Sequence, residues 1–211
     1  MEAGRRWKTA GGVATWGAAV LLAGQVALAA PAAVAAYFPL MEGTLWVYRT
    51  NAGEVMIRVG KTMPVGRHVC QAIETVVGGT ATQVECYRVV PDGVYAHQRS
   101  YAAGTVVLDP PQRVLAAPVR VGNRWEWTGR MGDQGVVIHY TWARRETVAV
   151  PAGTYEAMQL YFTGVLGQDT RVQSWRWYAP GVGMIKEDSL ISKGSQSLRT
   201  YAELVRMTRP Q

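Results

Sequence analysis

The chain has 211 residues, of which 48% are hydrophobic and 18% charged, and it carries a net charge of +7. That length suits one ordinary domain. The apolar fraction excludes a disordered chain, the aperiodic glycines and prolines exclude a collagen-like one, and two cysteines are too few for a disulfide scaffold.

The first element is a leader. Residues 1–36 hold 13 alanines, their only charges are Glu2, Arg5, Arg6 and Lys8, and no charge follows from Thr9 to Met41. A basic start, an apolar run and small residues at alternate positions make a secretory signal. Ala27-Leu28-Ala29 and Ala33-Val34-Ala35 both suit a peptidase, and the second is preferred because Pro31 breaks the helix ahead of it. An uncleaved anchor is the alternative, since the uncharged stretch exceeds the ~18 residues that can span a bilayer. Either way the domain, residues 37–211, is expected outside the cytoplasm: secreted, periplasmic or membrane-anchored facing outward. Membrane contact would then run through the N-terminal segment. Arg5-Arg6 lacks the apolar pair that follows a twin-arginine signal, and no cysteine lies nearby for lipid attachment. Without residues 1–36 the chain keeps 19 of its 22 basic and 14 of its 15 acidic residues, a net +5.

From Leu45 onward the pattern has period two, the signature of β-strands. Val55, Ile57 and Val59 alternate with Glu54, Met56 and Arg58, and Ile138, Tyr140 and Trp142 alternate with His139 and Thr141. Turn signals punctuate the runs at Asn51-Ala52-Gly53, Pro64-Val65-Gly66, Gly78-Gly79, Pro91-Asp92-Gly93, Gly132-Asp133, Pro151-Ala152-Gly153, Gly167-Gln168-Asp169 and Pro180-Gly181. The expectation is an all-β fold: one antiparallel curved sheet, half-barrel or barrel of about ten strands, preceded by an N-terminal signal or anchor helix. The Pro-rich piece from Asp109 to Pro118 reads as a loop within the domain, and Ser197 to Met207 as a last strand.

Chemistry-bearing motifs are few. Gly60-Lys61-Thr62 lacks the upstream glycine spacing and the following helix of a phosphate loop. No Gly-x-Ser-x-Gly elbow or His-Glu-x-x-His pair occurs, and His68, His97 and His139 are scattered. Glu126, Glu146 and Glu187 could meet in three dimensions as acid–base partners. His68, Cys70, Cys86 and His97 lack the paired spacing of a zinc site. Neither a metal nor a cofactor is expected. Cys70 and Cys86 share a parity across the Gly78-Gly79 turn. A disulfide there would close a 15-residue loop and contribute about 3 kcal/mol in the chain-entropy model. Two reduced, buried thiols are the alternative.

Trp125/Trp127 and Trp175/Trp177 are i, i+2 pairs, each with both rings on one strand face. They are either core residues or the lining of a concave face for a lipid tail, an apolar peptide or a sugar ring. The basic residues form no run longer than Arg144-Arg145, which argues against a nucleic-acid partner.

Three segments carry a resemblance: Tyr37-Phe38-Pro39-Leu40 leading through Gly43 to Trp46 and Tyr48, Val150-Pro151-Ala152-Gly153-Thr154-Tyr155, and Trp177-Tyr178-Ala179-Pro180-Gly181-Val182-Gly183-Met184-Ile185-Lys186. With Pro118, Gly122 and Trp125, this order resembles a family of exported bacterial β proteins of unknown function, sometimes labelled TapB-like, over nearly all of residues 37–206. The resemblance implies a curved antiparallel sheet or half-barrel, comparable in outline to periplasmic lipoprotein carriers, with no catalytic residues assigned. It also implies a lipidation cysteine in many members, which this chain lacks. The expected function is a non-enzymatic envelope module that binds an apolar or amphipathic ligand, such as a lipid, or an envelope protein partner. The tryptophan pairs are its expected lining. A carbohydrate-binding module for wall polysaccharide and a hydrolase with an unrecognised acid–base site are the alternatives.

Overall fold

The structure is a computed structural model that describes residues 33–210; the expected signal or anchor segment up to residue 32 lies outside the described residues. Twelve strands follow one another in the chain: β1 Leu45–Thr50, β2 Gly53–Val65, β3 His68–Val77, β4 Thr80–Val90, β5 Gly93–Tyr101, β6 Gly104–Ala116, β7 Arg124–Met131, β8 Gln134–Val150, β9 Gly153–Leu166, β10 Thr170–Ala179, β11 Gly183–Lys193 and β12 Gln196–Thr208. Each pairs antiparallel with its sequence neighbours, and β1 pairs with β12 to close a barrel. Closure removes the free sheet edges, with the β6–β7 seam the one ladder among the described residues reduced to two residue pairs.

The expectation of about ten strands undercounts by two, because Ala102-Ala103 and Gly194-Ser195 also turn the chain without a proline or aspartate to mark them. The sheet is a full barrel rather than a half-barrel. The predicted loop at 109–118 belongs instead largely to β6, and the true break runs from Ala117 to Asn123. Pro110 and Pro111 have no N–H to donate. The β6–β7 ladder accordingly holds only Leu108↔Met131 and Asp109↔Arg130.

Alternation sends apolar side chains inward. Val136, Ile138, Tyr140 and Trp142 of β8, and Leu160 and Phe162 of β9, are buried in one large cluster. His139, between Ile138 and Tyr140, and Arg144, beyond Trp142, are exposed, with His139 3.0 Å from Glu126 and Arg144 paired with Glu146. The β8–β9 hairpin is the longest, and its turn reaches back to β12, where Ala152 N–H donates to the Leu204 carbonyl at 2.9 Å.

One end of the barrel is stopped by the chain's own N-terminal segment. Val34–Tyr37 form a single 3-10 turn, with Val34 and Tyr37 buried. Gly181 N–H, in the β10–β11 turn, donates to the Ala36 carbonyl at 2.6 Å. The Tyr37 ring lies 6.2 Å from Trp142 and the Phe38 ring 5.0 Å from Tyr87. Gly183 is needed here because its φ of +94° is one that other residues rarely adopt.

Candidate functional site

The stopped end leaves a lumen open at the other. A cavity of about 490 Å³ is walled by apolar side chains that include Val114, Ile138, Leu160, Phe162 and Val172. It reaches solvent past Tyr101 and Ile191, both exposed beside the β5–β6 and β11–β12 turns. A second cavity of about 180 Å³ lies against the stop, between Phe38, Pro39, Trp46, Ile57 and Tyr178. Glu85, Tyr87 and Arg176 line both, so a polar girdle separates the two chambers.

The girdle is built from the inward positions of β4, β5, β6, β8, β10 and β11. Arg99 Nε sits 2.6 Å from Glu85 Oε1, and Arg99 Nη2 donates to Gln112 Oε1 at 2.7 Å. Gln112 Nε2 passes the chain on to Tyr140 OH at 2.7 Å, and Tyr87 OH donates to Glu85 Oε2 at 2.9 Å. On the facing strands, Arg176 Nε lies 3.1 Å from Glu187 Oε2 and its Nη2 donates to Glu187 Oε1 at 3.2 Å. Ser189 Oγ is 2.7 Å from both Glu187 Oε1 and Ser174 Oγ. The Arg176 guanidinium also stands 5.0 Å from the Phe162 ring centroid, within cation–π range.

Burial alone would favour neutral Arg176, but Glu187 and its other neighbours hold its pKa above the ordinary arginine value. Burial pushes the Tyr140 phenol up to about 12 despite the opposing hydrogen bond from Gln112, and burial also raises Tyr87 and Tyr178. The phenols therefore stay protonated at neutral pH. The charged members of the girdle are two arginines and two glutamates, paired one to one.

Arg176 is unfinished. Its Nε is buried and lies 3.1 Å from Glu187 Oε2 without an aligned hydrogen bond. About a third of its side-chain surface remains uncovered, and that surface faces the chambers it lines. Sequence reasoning missed this girdle. Arg176 stands between two tryptophans, so reading those rings as the inner face put the arginine outside.

The four tryptophans divide. Trp125 and Trp127 are buried in the main core, and their indole N–H groups donate to the Arg113 and Pro110 carbonyls of β6 at 2.9 and 3.0 Å. Trp142 does the same to Ala116 at 2.9 Å. Three indoles thus satisfy carbonyls along the strand whose ladder the prolines interrupt. Gly129 makes room, since a Cβ there would come within 2.5 Å of the Trp127 ring. Trp175 and Trp177 alternate with the inward-facing Ser174, Arg176 and Tyr178, so they lie on the outer face. Trp175 packs on Tyr161 at 5.3 Å. Trp177 donates to Glu146 at 2.6 Å and lies under the Lys186 ammonium. None of the four lines either cavity.

Cys70 and Cys86 are free, buried thiols that lie against each other. A register shift in the β3–β4 hairpin pairs Cys86 with Ala72, leaving Cys70 two residues out of register on the same face. Burial, reinforced by the neighbouring Cys70 thiol, raises the pKa of Cys86 well above the ordinary thiol value. The His68 and His97 rings lie 4.9 Å apart nearby. Burial, then the His68 charge, lowers the His97 pKa. Among the described residues no three His, Cys, Asp or Glu side chains converge to hold a metal. Glu126, Glu146 and Glu187 are likewise apart: the first pairs with His139, the second with Arg144, the third with Arg176.

No family model matches the chain, and no curated protein matches it. Two solved structures do. One, from Bacteroides fragilis, is described as an exported protein with a YmcC-like fold. It is 14% identical over 84% of this chain and 100% of its own, with a TM-score of 0.45. The other, described as a lipoprotein, is from Parabacteroides distasonis. It is 13% identical over 82% of this chain and 98% of its own, with a TM-score of 0.40.

Proposed function

We propose that this chain is an exported envelope protein that binds, without catalysis, one small amphipathic molecule in the barrel lumen. The observation that carries the reading is the lumen itself: a solvent-reaching chamber of about 490 Å³ with apolar walls and a few convergent polar groups, the usual make-up of a small-ligand site. Both lumen carboxylates face a guanidinium, Glu85 that of Arg99 and Glu187 that of Arg176, which supports reading them as polar anchors for a bound molecule.

The test is uptake of the neutral dye N-phenyl-1-naphthylamine, whose fluorescence rises in an apolar site. Wild-type protein should bind it saturably, and Val172→Trp, which projects an indole into the chamber, should weaken uptake severalfold while the melting temperature holds within a few degrees. Absence of uptake by the wild type, or equal uptake by the Val172→Trp variant, would overturn the reading. The carbohydrate-binding alternative keeps one specific support, the Trp175–Tyr161 stack on the outer face. A peptidoglycan pulldown without retention removes it.

Export also bears on processing. Val34 is 3% exposed within the stop. A cut after Ala35 would remove it, whereas a cut after Ala29 leaves the stop attached. N-terminal sequencing of exported protein should therefore begin at Ala30. A start at Ala36 would refute this site.

A further inference from the structure

The lumen reading above can be taken one step further, to the chemical class of the occupant. The girdle holds two cations and two anions in one-to-one pairs, so its net charge is zero. An occupant that brought a net charge would leave it uncompensated in a chamber walled by Ile138, Leu160 and Phe162, and unpaired charges are strongly disfavoured in such surroundings.

The girdle nevertheless has unfilled hydrogen-bonding capacity of both kinds. Arg176 carries five N–H donors, of which Nη2 donates to Glu187 Oε1, and about a third of its side-chain surface is uncovered toward the chambers it lines. Glu187 Oε2 takes part only in its ion pair with Arg176, and a carboxylate oxygen can accept more than one hydrogen bond. A head group that matches this set must accept from the guanidinium, donate to the carboxylate and carry no charge. A hydroxyl beside an ester carbonyl does all three. Glu187 lines the smaller chamber and Arg176 both, and the larger chamber, on the open side of the girdle, offers an acyl chain Val114, Ile138, Leu160 and Phe162 beside a polar margin of Gln83 and Thr170.

We propose that the lumen selects a neutral single-chain amphipath of the monoacylglycerol class, its head on Arg176 and Glu187 and its tail directed toward the mouth at Tyr101 and Ile191. The proposal rests on the lumen reading, and the two can fail separately.

The experiment displaces N-phenyl-1-naphthylamine from protein produced from the full chain, using 1-monolauroylglycerol, laurate and dodecylammonium as competitors of matched tail at pH 7.5. The neutral competitor should bind at least about tenfold more tightly than either ion. Glu187→Gln leaves the girdle one positive charge in excess, so its preference should swing toward laurate by about tenfold or more. Glu85→Gln makes the same change beside Arg99 and serves if the first variant does not fold. Laurate binding as tightly as the glyceride to wild type overturns the neutral-head proposal, as does a ratio unmoved by either glutamine variant. In both cases dye uptake weakened by Val172→Trp leaves the lumen reading standing. Failure of the dye to enter wild-type protein removes both.

Discussion

The spelling Trp-x-Trp occurs twice, at 125–127 and 175–177, and the barrel uses the two copies on opposite faces. On β7 the rings go inward and the residue between them, Glu126, is exposed and meets His139. On β10 the rings go outward and the residue between them, Arg176, enters the lumen. The neighbouring strand accounts for the difference. Beside β7 runs a strand with prolines at 110 and 111, whose carbonyls need donors that a normal ladder would have supplied. The indoles supply them from within. Beside β10, both ladders are intact for nine or ten residue pairs. Trp175 and Trp177 are free to cover the outer surface, and the inward position is released for a charged group.

Substitutions can break this comparison in order of size. Trp127→Ala removes a buried ring and the donor to Pro110, and should cost about 3–5 kcal/mol in urea unfolding. Trp127→Phe keeps most of the ring and deletes only the N–H. It should cost about 0.5–1.5 kcal/mol, the net worth of a part-buried hydrogen bond. Trp175→Ala loses a half-buried stack on Tyr161 and should cost about 0.5–1.5 kcal/mol. If Trp175→Ala proves as damaging as Trp127→Ala, the division into a structural inner pair and a covering outer pair is wrong.

The smallest effect is a pH dependence confined to the outer face beside β10. A hydrogen bond from Arg49 is the main force that lowers the Glu203 carboxyl, with Lys186 assisting. Arg199 lowers Asp188, which pairs across from Trp175. A carboxylate whose folded pKa is depressed contributes stability above its unfolded pKa of about 4. That contribution is lost as pH falls through the lower folded value. Unfolding free energy measured between pH 6 and pH 2 should fall with acid, and Glu203→Gln with Asp188→Asn should flatten the slope.

These cases also define what the sequence made legible. Period-two runs and Gly/Pro punctuation announce an antiparallel all-β chain. Strand count failed only where Ala102-Ala103 and Gly194-Ser195 turn without a strong marker. The lumen was hidden for a more basic reason. Alternation assigns residues to two faces but does not say which face is inside, and β10 has large aromatic residues on one face and Arg176 with Tyr178 on the other. Gln83-x-Glu85-x-Tyr87 on β4 is an equivalent case, since its polar inward row looks like a solvent row. The pairing of Glu85 with Arg99 and of Arg176 with Glu187 depends on register, which shifts at bulges such as those after Cys86 and Trp177.

Closure through β1 and β12 has a further consequence in time. Every other ladder joins strands adjacent in the chain, whereas Tyr48 must find Leu204, more than 150 residues later. A chain that emerges N-terminus first from a ribosome or a membrane pore can add hairpin upon hairpin by local encounters. Throughout that growth β1 is an open edge, able to recruit any strand that passes. The 13 residues of β12 are the last of the twelve strands to arrive, so delivery of Gln196–Thr208 sets how long that edge is exposed to misassembly.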